Sequence, residues 1–326
     1  MIKKTYTCRL IIKPLSLTHA IFLLLMTLTF ICNANDAWQR EDRLASKIKQ
    51  IKSVEDLVEE INGCAPKAYW SKARIAFTWI STNIKYDWAK FRNRGGSYTA
   101  DETLLKRRGV CSDYASLFET VVESLGYDAK VITGCAKGYG YVAGDKVYIN
   151  HAWNAVKGPE GEWHLFDVTW GNFYYDIAPE IMIYDHLPGQ SAWQLLENPI
   201  AKRQFEEMRL LPRNFIEAGI RIDVLKKNCP DGTCDPATIY RVPKQFSFVA
   251  NEIPIEKKLR IGHKYTIEIE ASRTTKFWIK NGFKTKSFAF KNGKHVVAFI
   301  PIIPGSSAQL MVGTERRRWT IMQWRL

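Results

Sequence analysis

No segment of the 326 residues repeats another and none is of low complexity, which argues against solenoids, propellers and fibrous arrays. The glycine- and tyrosine-rich stretch 134–149, GCAKGYGYVAGDKVYI, lacks a Gly-Lys-Ser/Thr ending and no helix follows it, so it is not read as a phosphate-binding loop. Cys229 and Cys234 are close in sequence, but no second cysteine pair or histidine follows at ligand spacing, which argues against a zinc site. His263 and His295 read as surface residues. No cofactor or metal is called for. The one long apolar run, 20–32, is shorter than the roughly 20 residues a spanning helix needs.

Acidic residues are the scarce charge, 33 against 47 Lys and Arg, for a net charge of +14. No recognisable nucleic-acid module accompanies that balance, so nucleic acid is not the expected partner. Residues 1–34 hold Lys3, Lys4, Arg9 and Lys13, no acid, the apolar run, and a small residue at Ala34. That is the pattern of a secretory signal cleaved after Ala34. Uncleaved anchoring and lipidation at Cys32 are the alternatives, the second disfavoured by bulky Ile31. Removing four positive charges from +14 leaves about +10 on the mature chain. The expected location is secreted or periplasmic, with no stable membrane span after signal cleavage.

The composition, 46% hydrophobic and 13% aromatic, is globular, and the length exceeds one ordinary core. Residues 107–127 read RRGVCSDYASLFETVVESLGY. Ala115, Leu117, Phe118, Val121, Val122 and Leu125 recur at helical spacing, and Gly126 sits where a C-terminal cap belongs. Cys111 therefore falls at the first turn, where unpaired N–H groups and the helix dipole favour a thiolate nucleophile. A free cysteine is more often a small buried hydrophobe, so the reading depends on partners.

Those partners lie in 149–170, INHAWNAVKGPEGEWHLFDVTW, two alternating runs around turn residues 157–161. An odd loop, such as 158–160, makes Lys157 face Gly161 and His151 face Asp167, on one side of the sheet. A cysteine at a helix N-terminus, a histidine base and an orienting carboxylate are the nucleophile, base and orienter of acyl transfer. Cys111, His151 and Asp167 are the candidate catalytic residues. His151 and Asp167 should lie about 2.6–3.2 Å apart.

The order GVC-x-x-YA-x-LF, HAWN and DVTW resembles the transglutaminase-like superfamily of papain-type cysteine enzymes. VITGCAKGYGY, NHAWNAV, FDVTWG and PEIMIYDHLPGQSAWQLLENP are similar to its kyphoscoliosis peptidase branch. The resemblance covers about residue 70 to the C-terminus. It implies a papain-like α+β core, helices packed on an antiparallel sheet, with a Cys-His-Asp triad at Cys111, His151 and Asp167, then a β-rich domain. It also puts Tyr86, Asp87 and Trp88 near the cleft. Tyr139 and Tyr141, on a loop read as mobile, and Trp153 in HAWN complete the candidate substrate-binding residues with Tyr86 and Trp88.

Elsewhere, Ser53 caps a helix ending at Gly63, a second helix spans 67–83, and Thr99 or Asp101 starts a third through Lys106. His186 and Trp193 read as packing. Alternating strands at 238–242, 245–250, 264–271, 276–280, 295–302, 309–312 and 318–324 argue an all-β, immunoglobulin-like sandwich. The expected units are a signal peptide over 1–34, a catalytic domain over 35–205 and the sandwich over 206–326. The turn Pro230-Asp231-Gly232-Thr233 suits a Cys229–Cys234 disulfide; whether Cys64 and Cys135 pair stays open. Two functions follow. One is a thiol enzyme acting on amide bonds of a protein, peptide or cell-envelope polymer, as peptidase, amidase or cross-linking transglutaminase. The other is a catalytically silent binding or scaffolding protein of the cell envelope, using the sandwich as its interaction surface.

Overall fold

Apolar residues at helical spacing fold into α1 (Gln39–Lys47), α2 (Val54–Cys64) and α3 (Ser71–Asn83) in the computed structural model. It describes residues 38–326 except 94, 139–140, 210–211, 241–242, 244–245, 247, 272–274 and 291–292. The signal-peptide segment and Tyr139 lie outside the described residues. Ser53 caps α2 by accepting from the Asp56 N–H. Gly63 does not stop that helix, which runs to Cys64 before extended Ala65. α3 buries Ala76, Phe77, Trp79 and Ile80 on all sides of its central turns.

Next come β1 (Lys85–Tyr86), α4 (Trp88–Asn93), α5 (Ala100–Lys106), β2 (Arg108–Gly109) and α6 (Cys111–Ser124). Thr99 caps α5 in a reciprocal box with Glu102. The parallel pairing of β1 with β2 sets Tyr86 opposite Gly109, beside the entry to α6. α6 ends as its sequence dictates. Gly126 has φ +95°, the Tyr127 N–H reaches the Val122 carbonyl, and the Gly126 N–H reaches Glu123, a Schellman closure that satisfies two last-turn carbonyls.

The sheet that carries the site has the order β5-β4-β3-β6, all antiparallel, from β3 (Ala129–Ala136), β4 (His151–Lys157), β5 (Trp163–Phe166) and β6 (His186–Pro188). Its hairpin corrects the expected register. Lys157 pairs with Trp163 rather than Gly161, so the loop is the five residues 158–162. Five is still odd, so the parity that puts His151 and Asp167 on one face survives the two-residue shift. On the opposite face Asn154 donates to the Ala115 carbonyl of α6. Val156 and Phe166 share that side's core with Phe77, Trp79 and Phe118. Beneath the histidine face lie Ile132, Trp153, Leu165, Tyr174 and Met182.

Gly134 is required by close approach. A Cβ there would lie 2.3 Å from the Leu187 carbonyl oxygen and 2.5 Å from the Trp153 indole, distances no real Cβ adopts. Its bareness lets Trp153 cross over β3 and pack edge-on against His186, ring centroids 5.1 Å apart.

The C-terminal strands form two antiparallel sheets around one core. They are β7 (Thr238–Ile239), β8 (Val249–Glu252), β9 (Tyr265–Ala271), β10 (Thr275–Asn281), β11 (Lys284–Phe290), β12 (Gly293–Phe299), β13 (Ser307–Gly313) and β14 (Arg318–Arg325). The sheet orders are β11-β10-β13-β14-β7 and β12-β9-β8. Ile267, Ile269, Phe277, Leu310, Val312, Met322 and Trp324 fill the space between them, making a β-sandwich and an α+β chain. The same apolar cluster takes in Cys135, Leu187 and Phe205 from the preceding part. β11 is the strand missed in sequence, because KTKSFAF reads as lysine-rich connection. Its edge position explains the lysines, which discourage pairing with other chains. Cys229 and Cys234 form the expected disulfide, Cα atoms 5.7 Å apart, while Cys64, Cys111 and Cys135 are free thiols.

Around α6 one buried ion pair carries the local architecture. Lys90 Nζ lies 2.6 Å from Asp113 Oδ2, with both side chains almost wholly enclosed. Replacing Lys90 by Met should leave that carboxylate buried without its cation and destabilise the fold by about 3–5 kcal/mol. Urea unfolding checks this. A change under about 1 kcal/mol, the worth of an exposed pair, would mean the Asp113 charge is compensated from elsewhere.

Candidate active site

Cys111 is the first residue of α6, at the end where free N–H groups concentrate positive potential. Its sulfur sits 4.0 Å from the Asn150 carbonyl oxygen. Two devices fix this geometry. Asp113 accepts from the N–H groups of Val110 (2.8 Å) and Tyr98 (2.9 Å) and from Lys90, tying the helix entry to α4. Asn150 acts as a lateral peptide unit: its amide donates to the Ala136 carbonyl at 3.0 Å and accepts the Ala136 N–H at 2.7 Å. The chain therefore enters β4 in a fixed register, with His151 next.

His151 Nε2 is 2.7 Å from Asp167 Oδ2, which leaves Nδ1 as the ring nitrogen for Cys111. Burial acts to lower the His151 pKa. The Asp167 charge and hydrogen bond, with the Cys111 contact, outweigh it and hold the imidazole well above its ordinary value. Asp167 is wholly buried. Its Oδ1 accepts the N–H groups of Thr169 (2.9 Å) and Trp170 (3.1 Å), and its Oδ2 is shared between His151 and His186 Nε2 at 3.1 Å. Burial would raise its pKa, but the two imidazoles hold it well below the usual carboxylate range.

The hydrogen-bonded chain continues past the three expected residues. His186 Nδ1 lies 2.6 Å from Asp185 Oδ1, and Asp185 Oδ2 accepts the Tyr174 O–H at 2.5 Å. His186 is buried, as read in sequence, but it is bonded at both ring nitrogens rather than merely packed. Its only signal in the sequence was the adjacent acid in YDHLP. His151, Asp167 and His186 offer ligand atoms within 4.8 Å of one another, the spacing of a metal site. Those atoms are already hydrogen-bonded to each other, so an ion would have to break both bonds to Asp167.

The candidate substrate-binding residues separate. Tyr86 is half-buried near Cys111; burial first, then the charges of Cys111, Asp113 and Asp167, push its phenol up to about 12. Its ring touches exposed Trp88, centroids 4.7 Å apart, and Phe91, also exposed, extends the group. Trp153 is a correction. At 1% exposure it is core beneath the histidines and cannot line an open groove. Tyr141 donates to the Glu206 carbonyl at 2.7 Å and packs on the C-terminal cluster. Trp170, not singled out in sequence, lies half-buried with its ring 5.0 Å from His151 and 4.5 Å from His186.

Burial raises the thiol pKa of Cys64 and of Cys135, so neither should hold much thiolate at neutral pH. Non-reducing peptide mapping of residues 38–326 should recover Cys229 and Cys234 in one bridged peptide. Brief iodoacetamide treatment of the folded chain at pH 7 should mark Cys111 ahead of Cys64 and Cys135. Finding Cys111 in a native bridge, or labelled last, would contradict its assignment as the reactive thiol.

Comparisons with known proteins follow the same residues. The transglutaminase-like superfamily matches residues 55–168, a span that contains Cys111, His151 and Asp167. Kyphoscoliosis peptidase of Homo sapiens is 30% identical over 202 residues, covering 56% of this chain and 30% of that protein. Hillarin of Drosophila melanogaster is 27% identical over 215 residues, covering 55% of this chain and 25% of that protein. The matched region is thus under a third of the length of these relatives. A solved structure described as a TGase aligns with 47% of this chain and 37% of its own at 15% identity, with a TM-score of 0.29, too distant a likeness to carry an argument. Residues 55–168 thus carry a transglutaminase-like domain, similar to that of the kyphoscoliosis peptidases.

Proposed function

We propose that the protein is a thiol enzyme that performs acyl transfer on amide bonds through Cys111, His151 and Asp167. The observation that carries this is one imidazole held at 2.7 Å by a buried carboxylate while its other nitrogen is left to a cysteine at a helix N-terminus. The Cys111 thiolate attacks the amide carbonyl, and the Cys111 N–H at the head of α6 stabilises the oxyanion. His151 then gives its proton to the leaving amine, and Asp167 keeps the ring oriented. Water resolves the thioester in a peptidase or amidase; a second amine resolves it in a cross-linking enzyme. Exposed Trp88 and Phe91, grouped around half-buried Tyr86 near Cys111, suit apolar side chains of a protein or peptide substrate.

The basic, signal-like N-terminus and the Cys229–Cys234 bridge support a secreted or periplasmic location. There, cell-envelope polymers join proteins as candidate substrates. Among the described residues no helix is long and apolar enough to cross a membrane. In this reading 35–205 is the catalytic unit and 206–326 the sandwich. The scaffold alternative draws on exposed Phe283 and Val296 of the sandwich.

Iodoacetamide alkylation of Cys111 in wild type, His151→Ala and Asp167→Asn, followed from pH 4 to 9, separates the two. Near pH 6 His151→Ala should react at least about tenfold more slowly, because a thiol that loses its imidazole partner is largely protonated there. Asp167→Asn should keep a reactive cysteine but lose turnover on peptide amides, by about 10⁴ if it follows serine triads. Alkylation profiles identical in all three proteins would favour the scaffold.

A further inference from the structure

Behind Asp167 lies a second histidine in an unusual setting. His186 is wholly enclosed, and each of its ring nitrogens faces a carboxylate oxygen: Asp167 Oδ2 at 3.1 Å and Asp185 Oδ1 at 2.6 Å. A neutral imidazole has one N–H and one lone pair, so it would set a lone pair against one of those anions. The second oxygen of Asp185 accepts the Tyr174 O–H, and Arg213 lies over the Tyr174 ring, 5.4 Å from its centroid. The ring that satisfies both sides carries two N–H groups and one positive charge.

We infer that His186 is a positioning residue: a buried imidazolium that shares Asp167 with His151 and weakens the hold of His151 on its proton. The inference rests on the triad reading. Its physical basis is the single oxygen that both rings use. A carboxylate oxygen divided between two cations gives less to each, and the two rings, 5.4 Å apart between centroids, repel when both are charged. A lone buried Asp167 would keep the His151 proton too firmly for delivery to a leaving amine. His186 moderates that grip while anchoring the carboxylate from the far side. The titratable and charged groups that meet this cluster are Cys111 from α6, His151 from β4, Asp167 after β5, Tyr174, Asp185, Arg213 and Lys137 at the end of β3. The Lys137 N–H donates to the Asp185 carbonyl. Burial disfavours the His186 charge, but its two carboxylates raise its pKa above the ordinary value.

Nitrogen NMR of the full chain labelled in histidine should find both His186 ring nitrogens protonated at pH 7.5; a neutral His186 would overturn the inference. The second arm is the pH profile of Cys111 alkylation in His186→Gln, which keeps a donor toward Asp167 without the charge. It is repeated in His186→Gln with Asp185→Asn, which also removes the stranded anion. In both, the upper-pH transition, set by loss of the His151 proton, should move up by about one to two pH units relative to wild type. A ring that only packs would change melting temperature and leave the transition in place, and that result, or a downward move, would also overturn the inference. Alkylation independent of His151 in wild type would instead remove the triad reading, and with it the role of His186. If the variants do not fold, the NMR measurement on wild type still decides.

Discussion

A carboxylate cannot be buried without compensation, and wholly enclosed Asp167 is the point around which this site is arranged. Four donors meet it: two backbone N–H groups from the turn that follows it and two imidazoles. The turn donors require the chain to leave β5 at once, as it does after Phe166. The imidazoles require β4 and β6 to begin at histidines on either side of β3, and both strands do. Removing any of these would leave a charge in a place water cannot reach.

Cys111 is secured by a separate set of contacts. α6 is placed by its apolar face against α3 and the sheet, and its first turn by Asp113. That acid also carries negative charge toward the end of the helix where a thiolate would sit. Lys90 neutralises it at 2.6 Å, so Asp113 can cap the helix with little repulsion of the sulfur. Asn150 then bridges the two halves: its carbonyl lies against Cys111, and its side chain locks onto β3 one residue before His151. Cysteine and histidine come from distant elements, yet their spacing is set by one asparagine.

The hydrogen-bonded line His151, Asp167, His186, Asp185 and Tyr174 runs from beside the helix end into the core beneath the sheet. Its inner half is covered by Trp153, Tyr174 and Trp170. Bare Gly134 admits Trp153 at that depth. Aromatic rings exclude water there, which strengthens each electrostatic contact along the line. The same cover removes Trp153 from contact with substrate and leaves that task to residues at the mouth.

Much of this was legible in the chain itself. Periodicity and capping residues determined α6 and its Gly126 ending, because helix ends are local chemistry. Parity determined that His151 and Asp167 share a face, and it survived a wrong loop length because any odd loop preserves it. The turn between Cys229 and Cys234 was enough to imply their bridge. What remained hidden depended on neighbours far apart in sequence. His186 and Asp185 look like ordinary packing until β6 aligns with β3. Trp153 looks like a groove residue until Gly134 lets it sink into the core. Lys284–Phe290 becomes a strand only as the edge partner of β10. The sequence by itself determined that a cysteine at a helix start, a histidine and a carboxylate belong together, since that choice rests on side-chain chemistry and local spacing. Only the tertiary structure decided that one carboxylate oxygen serves two histidines, because that sharing exists only where three separate segments close around a space without water.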